Sequence, residues 1–400
     1  MELLMRLSEI SAAKLFCSTA RKGCGVRGWW RCVVVGLVAG FIGGPIVAQG
    51  EPVQPMGVLP DEMVAAISRD LQISGEEYLR RARVARQLAG FAATARELFP
   101  GAVEQVGLGS GGQGVLALAP GVGAELIRSA AGAAGFEVRD VVEVELPDSP
   151  AGTAPVQEGA ARGAAAEEVA GGDPFVAMPP RGKKAGFGMC SWGFNGVDQD
   201  GAAVNVTAGH CDMEAEKEQP HPLHVFAPST ENGVETPVGV FKKSLTFKTS
   251  ERDYAIIRIN DEARPLFDNN FVRSRGMHGL RITGVADPIV GAPVCKLGHT
   301  TGFTCGVIVD VDEPSDGGPS QSFSHTAFQF SGDSGGPVVT GTEAVGIVSR
   351  LESKLDLPVD PRAYLDPRWQ DQTRKNLFRV VAQSVSAVLA ENPGLRIRTN

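Results

Sequence analysis

At 400 residues the chain exceeds the usual size of a single domain, so more than one folded unit is expected. Its 46 acidic and 38 basic side chains leave a net charge of -8 and are interspersed, which speaks against a nucleic-acid partner. Fifty glycines with 6% aromatic residues suit a turn-rich β-protein.

In chain order, Lys14, Arg21, Lys22, Arg27 and Arg31 precede an apolar run from Cys32 to Ala48. A positive region before such a run reads as an export signal, 1–48, cut after the small residue Ala48. Retention as a membrane anchor is the alternative, although a stable span needs about 20 apolar residues. Residues 49–146 read as a small α+β unit. Ser74 and Glu77 suggest a capping box ahead of a helix whose inner face carries Tyr78, Leu79, Ala82, Ala85 and Leu88. Two strands near Val103–Leu108 and Val115–Ala119 flank a glycine-rich turn, a helix covers about Ala124–Ala134, and the strand FEVRDVVEVEL closes the unit. Residues 147–168, rich in Pro, Ala and Gly, read as a linker open to activating cleavage. After Gly171 and on to about Arg350, short alternating strands separated by glycine turns indicate a β-sandwich or barrels. An amphipathic helix is predicted from about Lys375 to Glu391, stopped by Asn392, Pro393 and Gly394.

Four of the seven cysteines, Cys190, Cys211, Cys295 and Cys305, fall in the second half, an even set suited to disulfides in an oxidising compartment, with buried thiols as the alternative. Chemistry concentrates in SGDSGGP, Ser331–Pro337. A serine hydroxyl is a poor nucleophile and needs a base and an oxyanion site. The glycines around Ser334 allow a sharp turn that aims the amides of Gly332 and Ser334 at one point. TAGHC supplies His210 at the end of a strand as the base, and DYAIIRI supplies Asp253 to orient it. GDSGG also fits the nucleophile elbow of α/β-hydrolases, which need a histidine after the serine. All six histidines precede Ser334, so that fold is excluded, and the order His, Asp, Ser is the chymotrypsin one.

These motifs, together with VCKLGHTTGFTCG at Val294–Gly306, GGDPF at Gly171 and the closing NLFRVVAQSVSAVL, carry a resemblance. From about Val169 to Leu395 the chain resembles the chymotrypsin-like serine peptidases, in particular the bacterial streptogrisin and α-lytic protease branch. The resemblance implies an all-β peptidase domain, 169–400, of two six-stranded antiparallel barrels with a C-terminal strand and helix. The preceding α+β unit is similar to a pro-region that assists folding and inhibits the enzyme. Also implied are the disulfides Cys190–Cys211 and Cys295–Cys305, a buried pair of Lys296 with Asp333, a monomer with protein or peptide substrates, and no cofactor.

The substrate pocket is expected at Phe328, Ser331, Ser349 and Leu351. Phe328 stands where a trypsin-like enzyme carries aspartate, and Val348 where glutamate-specific relatives often carry histidine. Cleavage after Lys or Arg is not expected, and small to medium aliphatic residues are. The chain departs from the family at Phe330, where a cysteine is common, and after Ser349, where Arg350, Leu351 and a long insertion replace a glycine-rich hairpin. HPLH, with His221 and His224, reads as an exposed loop and not as a metal site, and NVT at Asn205 carries no functional weight. The rival readings are a secreted binding protein that keeps the barrels without turnover, and a membrane-anchored envelope protease.

Overall fold

The computed structural model describes residues 59–121, 123–140, 142, 168–179, 188–217, 222–227, 237–274, 279–312, 318–353 and 378–399. The segment read as an export signal, nearly all of the stretch read as a linker, His221 and most of the insertion after Leu351 lie outside them. Among the described residues no helix is long and apolar enough to cross a membrane.

The N-terminal elements are α1 (Asp61–Leu71), α2 (Gly75–Leu98), β1 (Val103–Leu108), β2 (Gly114–Leu118), α3 (Ala124–Ala133) and β3 (Glu137–Arg139). Ser74 caps α2 by accepting from the Glu77 amide at 3.1 Å. The Glu77 carboxylate turns instead to Arg80 and Arg81, so only half of the predicted capping box forms. Tyr78, Ala82, Ala85 and Leu88 are buried on the predicted face and Leu79 is half-buried. β1 and β2 form an antiparallel hairpin and β3 adds in parallel, Glu137–Arg139 beside Val115–Ala117, while most of the second half of the predicted strand lies outside the described residues.

Next come β4 (Pro174–Met178), β5 (Gly188–Ser191), β6 (Phe194–Val197), β7 (Ala203–Thr207), β8 (His224–Phe226), β9 (Gly239–Leu245), the one-turn α4 (Phe247–Ser250) and β10 (Tyr254–Ile259). β11 (Phe271–Val272), β12 (Leu280–Arg281) and β13 (Gly284–Val285) lead to β14 (Pro293–Gly298), β15 (Gly302–Val311), β16 (Ser322–His325), β17 (Pro337–Thr340) and β18 (Glu343–Ser353). β19 (Phe378–Ser384), α5 (Val385–Glu391) and β20 (Arg396–Ile397) end the chain.

The first sheet runs β20-β6-β7-β10-β9-β8-β4-β5, antiparallel throughout. β5 passes into β6 through Trp192 and Gly193 alone, and two residues reach only about 7 Å. The far end of the row is therefore curled back beside its start. β5 and β6 are two arms of one bent strand, which leaves six strands, β4 to β10, in a half-barrel. Gly193 makes the bend possible, since a Cβ there would lie 1.9 Å from the Val206 carbonyl oxygen. The second sheet runs β18-β17-β14-β15-β16-β19 and closes because β19 pairs back with β18, giving a six-stranded antiparallel barrel with β13 alongside in parallel. This is the trypsin-like fold.

The C-terminal segment corrects the periodicity-based reading. Phe378–Ser384 is a strand, and only Val385–Glu391 is helical. Val380–Ser384 is buried at every position, so a strand wedged between β16 and β18 shows no alternation to distinguish it from a helix.

Candidate active site

β7 and β10 are paired so that Thr207 faces Ala255. The chain leaves β7 in a tight turn, Gly209–Cys211, and enters β10 from Asp253, which places His210 against Asp253 by register alone. Asp253 Oδ2 lies 2.8 Å from His210 Nδ1, and Oδ1 accepts from the His210 amide at 2.9 Å, so ring and backbone are held together. Ser349 donates to Oδ2 at 2.5 Å, and the Asp253 amide donates to Gln383 at 2.9 Å. Asp253 is 2% exposed. Burial alone would raise its carboxyl, but the bonds and charge of His210, with Ser349, hold it below the ordinary value.

The disulfide Cys190–Cys211 ties the histidine turn to β5, and Cys295–Cys305 joins facing positions of β14 and β15. Cys190, His210 and Cys211 are the one metal-ligand-type grouping among the described residues, and both of its sulfurs are in the disulfide.

Ser334 sits in the turn between β16 and β17. Its carbonyl accepts from the Ser191 amide at 2.8 Å and lies 3.9 Å from Cys211 Sγ, which sets the turn beside His210. The Ser334 hydroxyl makes no hydrogen bond among the described residues. Gly332 has φ +99°, a conformation closed to most side chains. The amides of Asp333, Gly335 and Gly336 all donate within the protein, whereas those of Gly332 and Ser334 find no acceptor among the described residues.

Asp333 fixes this turn from below. Its Oδ2 takes Lys296 Nζ at 2.7 Å, Thr301 Oγ1 at 2.6 Å and the Phe330 amide at 2.9 Å, and Oδ1 takes the Thr300 and Thr301 amides. Lys296 and Asp333 are both fully buried. Burial pushes the Lys296 ammonium down from its ordinary value while Asp333 pulls the other way.

The four residues expected in the pocket differ in exposure. Phe328 is half-buried with its carbonyl held by Thr304 Oγ1 at 2.5 Å, Ser331 is exposed, and Leu351 is half-buried opposite Val380. Ser349 is turned inward, its hydroxyl spent on Asp253. Pairing of β18 with β17 reaches Ile347 opposite Pro337, and Val348 still bonds to Gly335 and Gly336. From Ser349 onward that edge of β18 has no strand partner among the described residues, and it begins next to Ser334. The roles of Ser349 and Gln383 on Asp253 were missed from sequence. Both sit on strands of the second barrel, and only the meeting of the barrels brings them to the carboxylate.

No family model matches the chain. Among curated proteins, it is 30% identical over 188 residues to streptogrisin-C of Streptomyces griseus, covering 46% of this chain and 35% of that one. It is 32% identical over 189 residues to serine protease 1 of Streptomyces fradiae, covering 46% and 44%. Against glutamyl endopeptidase 2 of Streptomyces griseus it is 31% identical over 167 residues, 41% of this chain but 79% of that protein. The chain belongs to the bacterial chymotrypsin-like serine peptidases. It spans less than half the length of the first two relatives of this family. Among solved structures, Thermobifida fusca protease A is 22% identical with a TM-score of 0.39, over 58% of this chain and 100% of that one. Nocardiopsis protease is 24% identical with a TM-score of 0.38 and the same coverage.

Proposed function

We propose that this member of the chymotrypsin-like family is an extracellular serine endopeptidase, made as a zymogen, that cleaves proteins through an acyl-enzyme. The observation that carries the reading is the doubly bonded His210–Asp253 pair beside a serine turn with two unengaged amides. Ser334 Oγ attacks the scissile carbonyl as His210 takes its proton, Asp253 stabilises the imidazolium, and the amides of Gly332 and Ser334 hold the oxyanion. His210 then protonates the leaving amine, and water repeats the sequence on the acyl-enzyme. The edge of β18 from Ser349, which has no strand partner among the described residues, suits an extended peptide lying antiparallel to it.

Asp333 is already saturated by Lys296 and the Thr300–Thr301 turn, which supports an oxyanion site preset in the precursor. Cleavage within or at the end of the linker is then the step that frees the start of the peptidase chain near Val169. Phe328 and Leu351 supply no charge to the pocket, in keeping with aliphatic residues before the cut and a poor fit for Lys or Arg, whose unpaired cation would cost several kcal/mol.

A fluorophosphonate should label Ser334, and a peptide mixture read by mass spectrometry should show the aliphatic preference. Ser334→Ala or His210→Ala should lower turnover by several orders of magnitude, leaving about 10³-fold over water. Hydrolysis by purified Ser334→Ala near the wild-type rate would sink the assignment, and dominant cleavage after Arg, Lys or Glu would sink the pocket reading.

A further inference from the structure

A sheet with one face in water alternates apolar and polar residues. β15 breaks this rule: every position from Gly302 to Ile308 is buried. Phe303, Cys305 and Val307, which share one face, belong to a single apolar cluster with Met63, Ile67 and Tyr78, all three at 0% exposure. α1 and the start of α2 are thus the outer layer of the second barrel.

Backbone hydrogen bonds follow the same line. The Cys305 amide donates to Asp70 Oδ2 at 2.8 Å, Arg69 Nη2 donates to the Phe303 carbonyl at 3.0 Å, and the buried Tyr78 hydroxyl donates to the Val339 carbonyl at 3.1 Å. Further along, the Leu108 amide donates to Val290 O at 2.8 Å, and Arg86 meets Glu343 at 3.1 Å. None of these contacts reaches His210, Asp253, Ser334, Phe328 or Ser349.

We infer that residues 59–142 are a permanent light chain of the active enzyme, staying on the second barrel after the linker is cut and leaving the catalytic cleft open. Departure would expose the apolar face of β15 and strip the Cys305 amide and the buried Tyr78 hydroxyl of their partners, the profile of an obligate interface. The inference rests on the peptidase reading for the word active, and on the interface alone for retention.

The two parts are separable by experiment. In the full Ser334→Ala chain, the recognition sequence of a strictly specific viral protease is inserted in the linker, and the chain is cut and passed over a sizing column without denaturant. Co-elution of the two fragments, with separation only in denaturant, is expected; separation without it overturns retention. Ile67→Asp, which buries a carboxylate in the shared cluster, should weaken the association about a hundredfold or more. Should that variant fail to fold, co-elution or separation of the fragments with the unaltered interface still decides retention. In the wild-type protein cut by the same means, the co-eluting complex should react with a fluorophosphonate. Labelling only after removal of the light chain would make that segment an inhibitor and overturn the open-cleft claim. Absence of labelling in both states would defeat the peptidase reading and leave co-elution to judge retention.

Discussion

At the scale of single residues, two buried side chains off the sequence motifs lead to measurable effects. Ser349 donates to the same carboxylate oxygen that faces His210 Nδ1, so it positions Asp253 and touches no reacting atom. Loss of one hydrogen bond to a charged acceptor is worth about 1.5 kcal/mol, so Ser349→Ala should lower kcat roughly tenfold with KM little changed. A variant that raises KM alone would instead make Ser349 a substrate contact. His325 is 2% exposed on β16, with both ring nitrogens lacking a hydrogen-bond partner among the described residues. Burial, and then the charge of Lys296, pushes it down to about 3. A base depressed in the folded state is protonated only on unfolding between its two pKa values, so unfolding is favoured there. Its stabilising contribution is complete above about pH 6.5 and is lost as pH falls toward 3, on the order of 3 kcal/mol between pH 7 and pH 4. Urea unfolding of His325→Leu should show an acid-side loss smaller by that amount, whereas equal pH dependence in variant and wild type would show that the imidazole does not titrate as its burial requires. His210, Asp253 and Ser334 were legible in sequence because each stands in a motif at a strand end. Ser349 was not, because its role depends on a strand from the other barrel.

At the scale of elements, the hairpin of β14 and β15 is the support of the serine turn. It carries Lys296 on one strand, the Thr300–Thr301 turn at its tip and a disulfide across facing positions. Five donors converge on Asp333, and one of them is a buried charge. Removing that charge alone leaves a carboxylate enclosed without a counter-ion, a loss of about 3–5 kcal/mol. Lys296→Met should therefore lower unfolding free energy by about that amount and reduce fluorophosphonate labelling, because the amides of Gly332 and Ser334 lose their anchor; a change under about 1 kcal/mol would show the pair to be dispensable. The hairpin and most of the short strands could be read from glycine-bounded apolar runs. β19 could not, since its burial on both sides removes the period-two signal and the following helix extends an apparent 3.6 period. The bent β5–β6 strand was equally hidden: nothing in the sequence marks Trp192–Gly193 as a corner, and the close approach of Val206 that demands glycine there exists only in the curled sheet.

At the scale of the whole molecule, the backbone around Val169, where the sequence reading sets the start of the peptidase domain, is held closed. The Val169 amide donates to the Leu266 carbonyl at 2.7 Å, and the Val169 carbonyl takes the side chains of Asn195 and Asn269 at 2.9 and 3.0 Å. Asp173 accepts from the Ala170 amide at 2.9 Å and pairs with Arg273 at 2.7 Å, and Arg273 also holds the Glu168 carbonyl at 2.7 Å. Val169 and Ala170 are buried, while Glu168 is exposed. A peptidase takes its substrate as an extended, accessible stretch, so bonds inside this clasp open to cleavage only by local unfolding. The GGDPF motif placed the mature start near Val169, and the clasp moves the permitted bonds to the N-terminal side of Glu168. Intact mass and amino-terminal sequencing of the secreted protein should give a peptidase chain that begins at Glu168 or a few residues upstream. Ser334→Ala should accumulate the uncut chain if the cut is self-inflicted, and normal processing of that variant would assign it to another protease. Arg273→Ala, which releases Glu168 and Asp173 together, should add products starting at Ala170 or beyond; a wild-type start there would mean that the clasp does not protect the bonds it encloses.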